Sequence, residues 1–260
     1  MLRVVSILRG ANGMKVWQVV TVGKRVLGRI VLCTAGCIAM LKMGPIVMMA
    51  LSMLISIAVY AVAFGFQFAI GFVFLLFAHE YGHLVASRVV GLKVSGPLFI
   101  PFLGAVIQVK EIPLNVKMEA NVAIGGPAMG TLSALVCLVC YLWTNSILML
   151  ILSYTACLLN LFNLIPCDPL DGGRIAAAIS PRLWWVGSIV IAILFVYTYN
   201  FFIFIIFLFS LFRLWQHHDV LPHSQYYHLT LRQRMAISWW YFGLVMILSG
   251  TTLYIVEFLH

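Results

Sequence analysis

Charged residues are scarce in this chain of 260 residues: Asp, Glu, Lys and Arg together make up 9% of it, and only 7 are acidic. Soluble domains carry about 25% charged residues, and a surface with so few could not stay hydrated. Apolar residues reach 63%, against roughly 45–50% in soluble domains. This composition excludes an ordinary soluble enzyme, a disordered chain and a fibrous repeat, and it indicates an integral membrane protein.

Acidic residues are also outnumbered, since 16 Lys and Arg give a formal net charge of +9. In a membrane protein this excess is typical of cytoplasmic loops and of surfaces that contact anionic headgroups. No basic stretch carries a motif that reads DNA or RNA, so we expect the lipid bilayer as a partner and no nucleic acid. The 6 cysteines lie mostly in apolar runs, which predicts buried thiols rather than a disulfide framework.

Stretches without any charged residue mark the predicted membrane helices, because about 20 apolar residues are needed to cross the hydrocarbon. We predict helices at about 44–63, 65–90, 120–143, 146–166, 183–212 and 236–256, with breaks near Gly65, Thr144-Asn145 and Tyr199-Asn200. Residues 26–41 favour an interfacial helix over a further span. The fold class is therefore predicted as an all-α polytopic membrane protein with about six transmembrane helices, the number of crossings within 26–63 and 183–215 staying open.

The segment 91–118 departs from this helical pattern. Glycine and proline punctuate it, and the residues at 104–109 favour a strand, so we predict a short membrane-associated β segment. Irregular backbone at membrane depth is tolerated where protein buries it or water reaches it, which indicates a cavity. Basic residues in 88–117 and 167–182 predict that both segments lie on the cytoplasmic side.

The residues from His79 to His83, HEYGH, stand out inside the helix predicted at 65–90. The two histidines are one turn apart on one face, so both imidazoles can bind one metal ion. Glu80 lies beside that position, where it can hold a water molecule. Imidazole ligands with a carboxylate suit zinc, and ionisable residues within a membrane helix indicate a functional site. A hydrogen-bonded polar cluster that ties helices together is the alternative.

A third metal ligand must come from the few acidic residues. Asp171 lies in NLIPCDPLDGGR, residues 163–174, at the end of the helix predicted at 146–166. The predicted topology brings this segment to the same membrane face as the two histidines. The same residues also fit a plain polar turn that ends a helix. Nearby Asp168 could assist the metal site or face water, and we expect it to face water.

HEYGH on a membrane helix, followed about 90 residues later by NLIPCDPLDGG, resembles the paired motifs of the site-2 protease family, the intramembrane zinc metallopeptidases of the M50 type. Gly125-Gly126-Pro127 in the intervening helix resembles a further feature of that family. The resemblance covers about residues 65–175 and implies a three-helix zinc-protease core.

The same resemblance implies roles for individual residues. His79, His83 and Asp171 would bind Zn²⁺, and Glu80 would be the catalytic residue. Asn163 is a candidate to hold the substrate backbone or the oxyanion, with a helix-capping amide as the alternative.

The implied function is hydrolysis of peptide bonds in or near transmembrane segments of membrane protein substrates. A catalytically inactive zinc-binding membrane scaffold of the same fold is the alternative, and the intact Glu80 argues against it. A helical substrate must unwind to expose its peptide bonds, and the strand-like residues near 104–109 are expected to pair with the unwound chain.

We predict three regions: a basic N-terminal segment with an interfacial or first membrane helix (1–43), the catalytic core (44–175), and C-terminal membrane helices with a histidine-containing loop (176–260). In that loop we expect a solvated surface rather than a second metal site, because no ligand pattern is complete; its histidines are His217, His218, His223 and His228. The absence of a transit-like N-terminus favours a prokaryotic plasma membrane, with the active site toward the cytoplasmic side. The sequence predicts no oligomeric state.

Overall fold

The computed structural model describes residues 45–92, 98–100, 104–106, 113–217 and 225–259. Within these residues the chain forms eight α-helices and two short strands: α1 (Pro45–Phe64), α2 (Phe66–Val89), β1 (Leu98–Ile100), β2 (Gly104–Val106), α3 (Val116–Thr144), α4 (Ile147–Asn163), α5 (Asp171–Ile179), α6 (Leu183–Thr198), α7 (Phe201–His217) and α8 (Leu231–Leu259). One 3-10 turn, Gln225–Tyr227, precedes α8. The predicted helical class is therefore confirmed.

Four of the described helices are long and apolar enough to cross a bilayer, namely α1, α2, α3 and α8. The apolar helices α4, α6 and α7 have only 16 or 17 residues. A helix of that length extends about 25 Å, against a hydrocarbon core of about 30 Å. The prediction of about six spans is thus not confirmed, and the segment 26–41 lies outside the described residues.

Left-handed backbone ends three of the helices where the sequence predicts breaks. Gly65 has a φ of 86° between α1 and α2, and Asn145 has a φ of 53° between α3 and α4. Tyr199, with a φ of 48°, separates α6 from α7. Because a residue in this conformation cannot continue a right-handed helix, each charge-free run divides into two helices at that point.

Helix α3 lies at the centre of the fold and contacts α2, α4, α5 and α8. The largest apolar cluster draws most of its buried side chains from these five helices and also includes Leu164 and Trp184. Helices α2 and α3 approach closely at Gly82 and Gly125, where a Cβ on Gly82 would overlap the backbone carbonyl of Gly125. Two glycines therefore let these helix backbones meet at the level of the HEYGH motif.

The two strands pair antiparallel, with Leu98 opposite Val106 and Ile100 opposite Gly104. The sequence predicts a strand at 104–109, and the described strand covers the first three of those positions. Its association with a membrane stays a prediction.

Candidate metal centre

Three potential metal ligands meet in the interior of the protein. His79 and His83 lie one turn apart on α2, and Asp171 lies in the first turn of α5. Their ligand atoms form a triangle with sides of 3.1 to 3.2 Å between the two Nε2 atoms and Oδ2 of Asp171. Among the described residues this is the one group of three such side chains close enough to hold a metal ion.

The triangle has the dimensions that a zinc ion requires. Ligands at about 2.0–2.1 Å from a tetrahedral zinc lie about 3.3 Å from one another, close to the separations in the protein. Burial opposes the charge of Asp171, but the two imidazoles beside it hold the pKa of this carboxyl well below its usual range. Two imidazoles and one carboxylate form a donor set typical of catalytic zinc.

The far side of each imidazole ring is held by a hydrogen-bond acceptor. Nδ1 of His83 lies 2.8 Å from the backbone carbonyl oxygen of Val122 in α3. Nδ1 of His79 lies 2.8 Å from Oδ1 of Asn160 in α4. Such contacts orient the rings of metal-binding histidines and leave Nε2 free for the ion.

Gly126 in α3 lies directly against the triangle. A Cβ built on it would overlap Nε2 of His83 and would lie 2.8 Å from Nε2 of His79. Pro127 follows inside the helix and lacks the N–H that would bond the carbonyl of Ala123, so the helix is loosened at this turn. The Gly-Gly-Pro sequence thus lets α3 pass close beside the imidazoles.

Glu80 lies next to the triangle without belonging to it. It follows His79 on α2 and is partly buried. Its carboxylate interacts electrostatically with both imidazoles, with Asp171 and with the guanidinium of Arg174. The site therefore combines three metal-binding atoms with a separate carboxylate.

Asp171 is presented by a segment that other helices hold in place. The hydroxyl of Tyr241 in α8 donates to the carbonyl of Leu164, and the indole N–H of Trp184 donates to the carbonyl of Gly173, at 2.7 and 2.8 Å. Arg234 in α8 donates to the carbonyl of Ile179 at the end of α5. The segment NLIPCDPLDGGR, whose sequence also fits a plain polar turn, thus forms a loop held by these hydrogen bonds and the first residues of the short helix α5.

The expectation that Asp168 faces water is wrong. Its Oδ2 lies 2.6 Å from Nε of Arg213, so the carboxylate forms a partly buried ion pair with α7.

Cys167, the residue before Asp168, is fully buried, and burial raises the pKa of its thiol to about 12. This thiol stays protonated near neutral pH and is an unsuitable metal ligand in this state.

Two sequence-based assignments are left as predictions. Asn163 is the last residue of α4 and partly exposed, while Leu164 takes the C-cap position. Within the described chain the side-chain amide of Asn163 makes no hydrogen bond, and its role in substrate binding stays a prediction. Of the predicted histidine loop, residues 218–224 lie outside the described residues, and His228 is exposed.

Asn160 is the functional candidate that the sequence analysis does not identify. The sequence does contain a signal for it, because Asn160 places an amide inside the apolar run of α4, one turn before Asn163. Polar side chains inside membrane helices tend to mark functional sites.

Part of the chain is similar to known metalloproteases. Residues 67–147, which include His79, Glu80, His83 and Gly126, match the model of peptidase family M50. Over 106 residues the chain is 38% identical to a zinc metalloprotease from Methanocaldococcus jannaschii, an alignment that covers 39% of this chain and 30% of that protein. The chain is also similar to the solved site-2 protease of that organism, with 24% identity, a TM-score of 0.41, and coverage of 66% of this chain and 89% of the other.

The match to the family model and the similarity to the curated relative support the resemblance that the sequence motifs predict, and both agree with zinc as the metal. The matched part is less than a third of the length of the curated relative. The four apolar helices, together with the match over residues 67–147, indicate an integral membrane protein.

Proposed function

We propose that this protein is a zinc metallopeptidase of the M50 type that cleaves peptide bonds in or near the transmembrane segments of other membrane proteins. The observation that carries the proposal is the buried triangle of His79, His83 and Asp171 with Glu80 beside it. A metal-binding triangle alone is common to many kinds of site, but a triangle with an adjacent, uncoordinated carboxylate is typical of a hydrolase.

The side chains divide the chemistry among them. His79, His83 and Asp171 would hold the ion, and zinc when bound supplies Lewis-acid chemistry that polarises a carbonyl and acidifies water. Glu80 transfers the proton: one of its carboxylate oxygens accepts it from the attacking water and donates it to the amine nitrogen of the leaving chain. Asn163, one helical turn from Asn160, would hold the substrate backbone.

A membrane-embedded substrate is supported by where the site lies. His79 and His83 are the 14th and 18th of the 24 residues of α2, so both lie away from the ends of a helix long enough to span the bilayer. A peptide bond that reaches them must enter the same depth, and a substrate helix must first unwind there. The strand pair that includes Gly104–Val106 contacts α2 and is the proposed partner for the unwound chain.

The alternative is an inactive scaffold that only binds zinc. Such a scaffold would need the three metal ligands but not Glu80. A partly buried carboxylate carries a desolvation cost, and a scaffold that transfers no proton gains nothing from it. The intact Glu80 therefore favours the enzyme.

Zinc binding is the first test of the proposal. Purified protein is expected to contain one zinc per chain by elemental analysis, and Asp171→Ala is expected to lose most of it, because two protein ligands close a catalytic site poorly. Asp168→Asn is the matched control, since its carboxylate is three residues away and bonds Arg213 instead. Full zinc content in Asp171→Ala would contradict the assignment of the third ligand.

Location in the membrane is the second test. We propose a plasma-membrane protein whose metal site opens toward the cytoplasm, because the basic loops flank the site. Single cysteines at Leu114 and Arg182, both exposed, are expected to react with an impermeant thiol reagent from the cytoplasmic side, in a variant whose native cysteines are replaced. A cysteine at Thr144, at the other end of α3, is expected to react from the opposite side. Labelling of Leu114 and Arg182 from different sides would contradict the proposed site.

A further inference from the structure

A buried amide forms part of the environment of the metal centre. Asn160 in α4 is 1% exposed and lies in the interior of a membrane protein. Its side chain has two neighbours: Oδ1 lies 2.8 Å from Nδ1 of His79, and Nδ2 lies 2.8 Å from the backbone carbonyl oxygen of Ala156. We propose that Asn160 is a positioning residue that selects the tautomer of His79 and thereby sets the zinc affinity of the site.

The orientation of the amide follows from its partner in α4. The carbonyl oxygen of Ala156 can only accept a hydrogen bond, so the nitrogen of the Asn160 amide must face it. The oxygen of the amide then faces His79 and can only accept. The proton of a neutral His79 ring must therefore be on Nδ1, which leaves the lone pair of Nε2 directed at His83 and Asp171.

The space for this amide is provided by α3. A Cβ on Gly130 would overlap the carboxamide of Asn160. Gly130 is one turn beyond Gly126, so the same face of α3 makes room first for the metal-binding nitrogens and then for the amide that orients one of them. The contact is thus built by three helices, α2, α3 and α4.

The two histidines differ in how they are oriented. The ring of His83 is held by a backbone carbonyl, that of Val122, which no side-chain substitution removes. The ring of His79 is held by a side chain, so its orientation can be changed at one position without touching a ligand. Replacing a residue that hydrogen-bonds a metal ligand usually lowers metal affinity by about 10–100-fold.

The inference rests on the proposed zinc site, and its test reads zinc affinity rather than peptidase activity. Full-length protein in detergent is titrated with zinc against a chelator of known affinity. Asn160→Leu, which keeps the volume but removes the acceptor, is expected to bind zinc about 10–100-fold more weakly than wild type. Asn160→Asp restores an acceptor to Nδ1 and is expected to bind within about threefold of wild type, because carboxylates commonly serve this role.

Ser153→Ala is the matched structural control. Ser153 lies two turns earlier on the same helix, is equally buried, and donates across to the carbonyl of Ala134 in α3. Its loss removes a buried hydrogen bond between α4 and α3 without touching a ligand, so the zinc affinity of this variant is expected to be unchanged. If Asn160→Leu binds zinc as tightly as wild type, or if Ser153→Ala weakens zinc as much as Asn160→Leu does, the positioning role is wrong.

The tautomer itself gives a readout that needs no variant. In metal-free wild-type protein labelled with ¹⁵N-histidine in bilayers, solid-state NMR is expected to show His79 with its proton on Nδ1. A neutral ring with its proton on Nε2 alone would overturn the inference even if Asn160→Leu fails to fold. Wild-type protein that binds no zinc at all would contradict the proposed function and this inference together, whereas equal affinities in wild type and Asn160→Leu would contradict the inference alone.

Discussion

Glu80→Gln is expected to stop peptide hydrolysis while the protein keeps its zinc and its fold. The side chain lies beside the metal-binding triangle but is not part of it. The glutamine amide fills the same volume and cannot accept the proton of the attacking water. Because we propose that Glu80 supplies both the base and the acid, we expect a loss of at least about 10²–10⁴ in turnover, the range usual for such groups.

The same variant is expected to retain substrate. Its zinc content, measured by elemental analysis, should equal that of wild type, and a membrane substrate with a photo-crosslinker should form an adduct with the uncleaving protein. Glu257→Gln is the control, because that carboxylate is exposed near the end of α8 and should leave turnover unchanged. Loss of zinc in Glu80→Gln would instead make Glu80 a ligand and would contradict the division of roles.

Gly126→Ala is expected to lose zinc and activity together, although it adds a single methyl group. That methyl would overlap Nε2 of His83 and lie 2.8 Å from Nε2 of His79, which is the place that the ion must occupy. The backbone of α3 cannot withdraw easily, since Gly125 next to it already touches the backbone of α2. We expect zinc affinity to fall by more than the roughly 10–100-fold caused by losing a residue that only orients a ligand.

Gly250→Ala controls for the exchange of a helical glycine. Gly250 lies inside α8, and a Cβ there meets no atom within 4 Å. Alanine is expected to be neutral or to stabilise the helix by up to about 1 kcal/mol. Thermal unfolding of the zinc-free proteins separates a damaged fold from a blocked site. Zinc binding by Gly126→Ala at wild-type affinity would show that α3 does not form the wall of the metal site.

Local sequence patterns explain why much of the candidate site can be predicted from the sequence. The spacing of His79 and His83 places them on one helical face whatever surrounds them. The helix end at Asn145 follows from a residue type that tolerates the left-handed conformation. The end at Tyr199 lies next to Asn200, whose side chain accepts from the backbone N–H of Phe202 at the start of α7. Asp171 could be paired with the histidines because few carboxylates exist in the chain and the predicted topology leaves this one on the correct side.

What the sequence does not show depends on packing between distant segments. The contact of Asn160 with His79 spans 81 positions, and the ion pair of Asp168 with Arg213 spans 45. No periodicity encodes which acceptor faces which ring. The short helix α5 is also not predicted from the sequence, because its nine residues include two glycines and resemble a turn. Hydrogen bonds from Trp184 and Arg234, which are distant in the sequence, hold it in place.

The measurement that tests the central claim most directly is cleavage in liposomes. Wild-type protein and Glu80→Gln are reconstituted separately with a single-span substrate, with zinc or after its removal by a chelator, and the products are analysed by mass spectrometry. We predict that zinc-loaded wild type produces new termini within the membrane-spanning segment of the substrate, and that Glu80→Gln and the zinc-free protein produce none. Equal cleavage by wild type and Glu80→Gln, or cleavage by wild type that persists without zinc, would contradict the assignment of this chain as an intramembrane zinc peptidase.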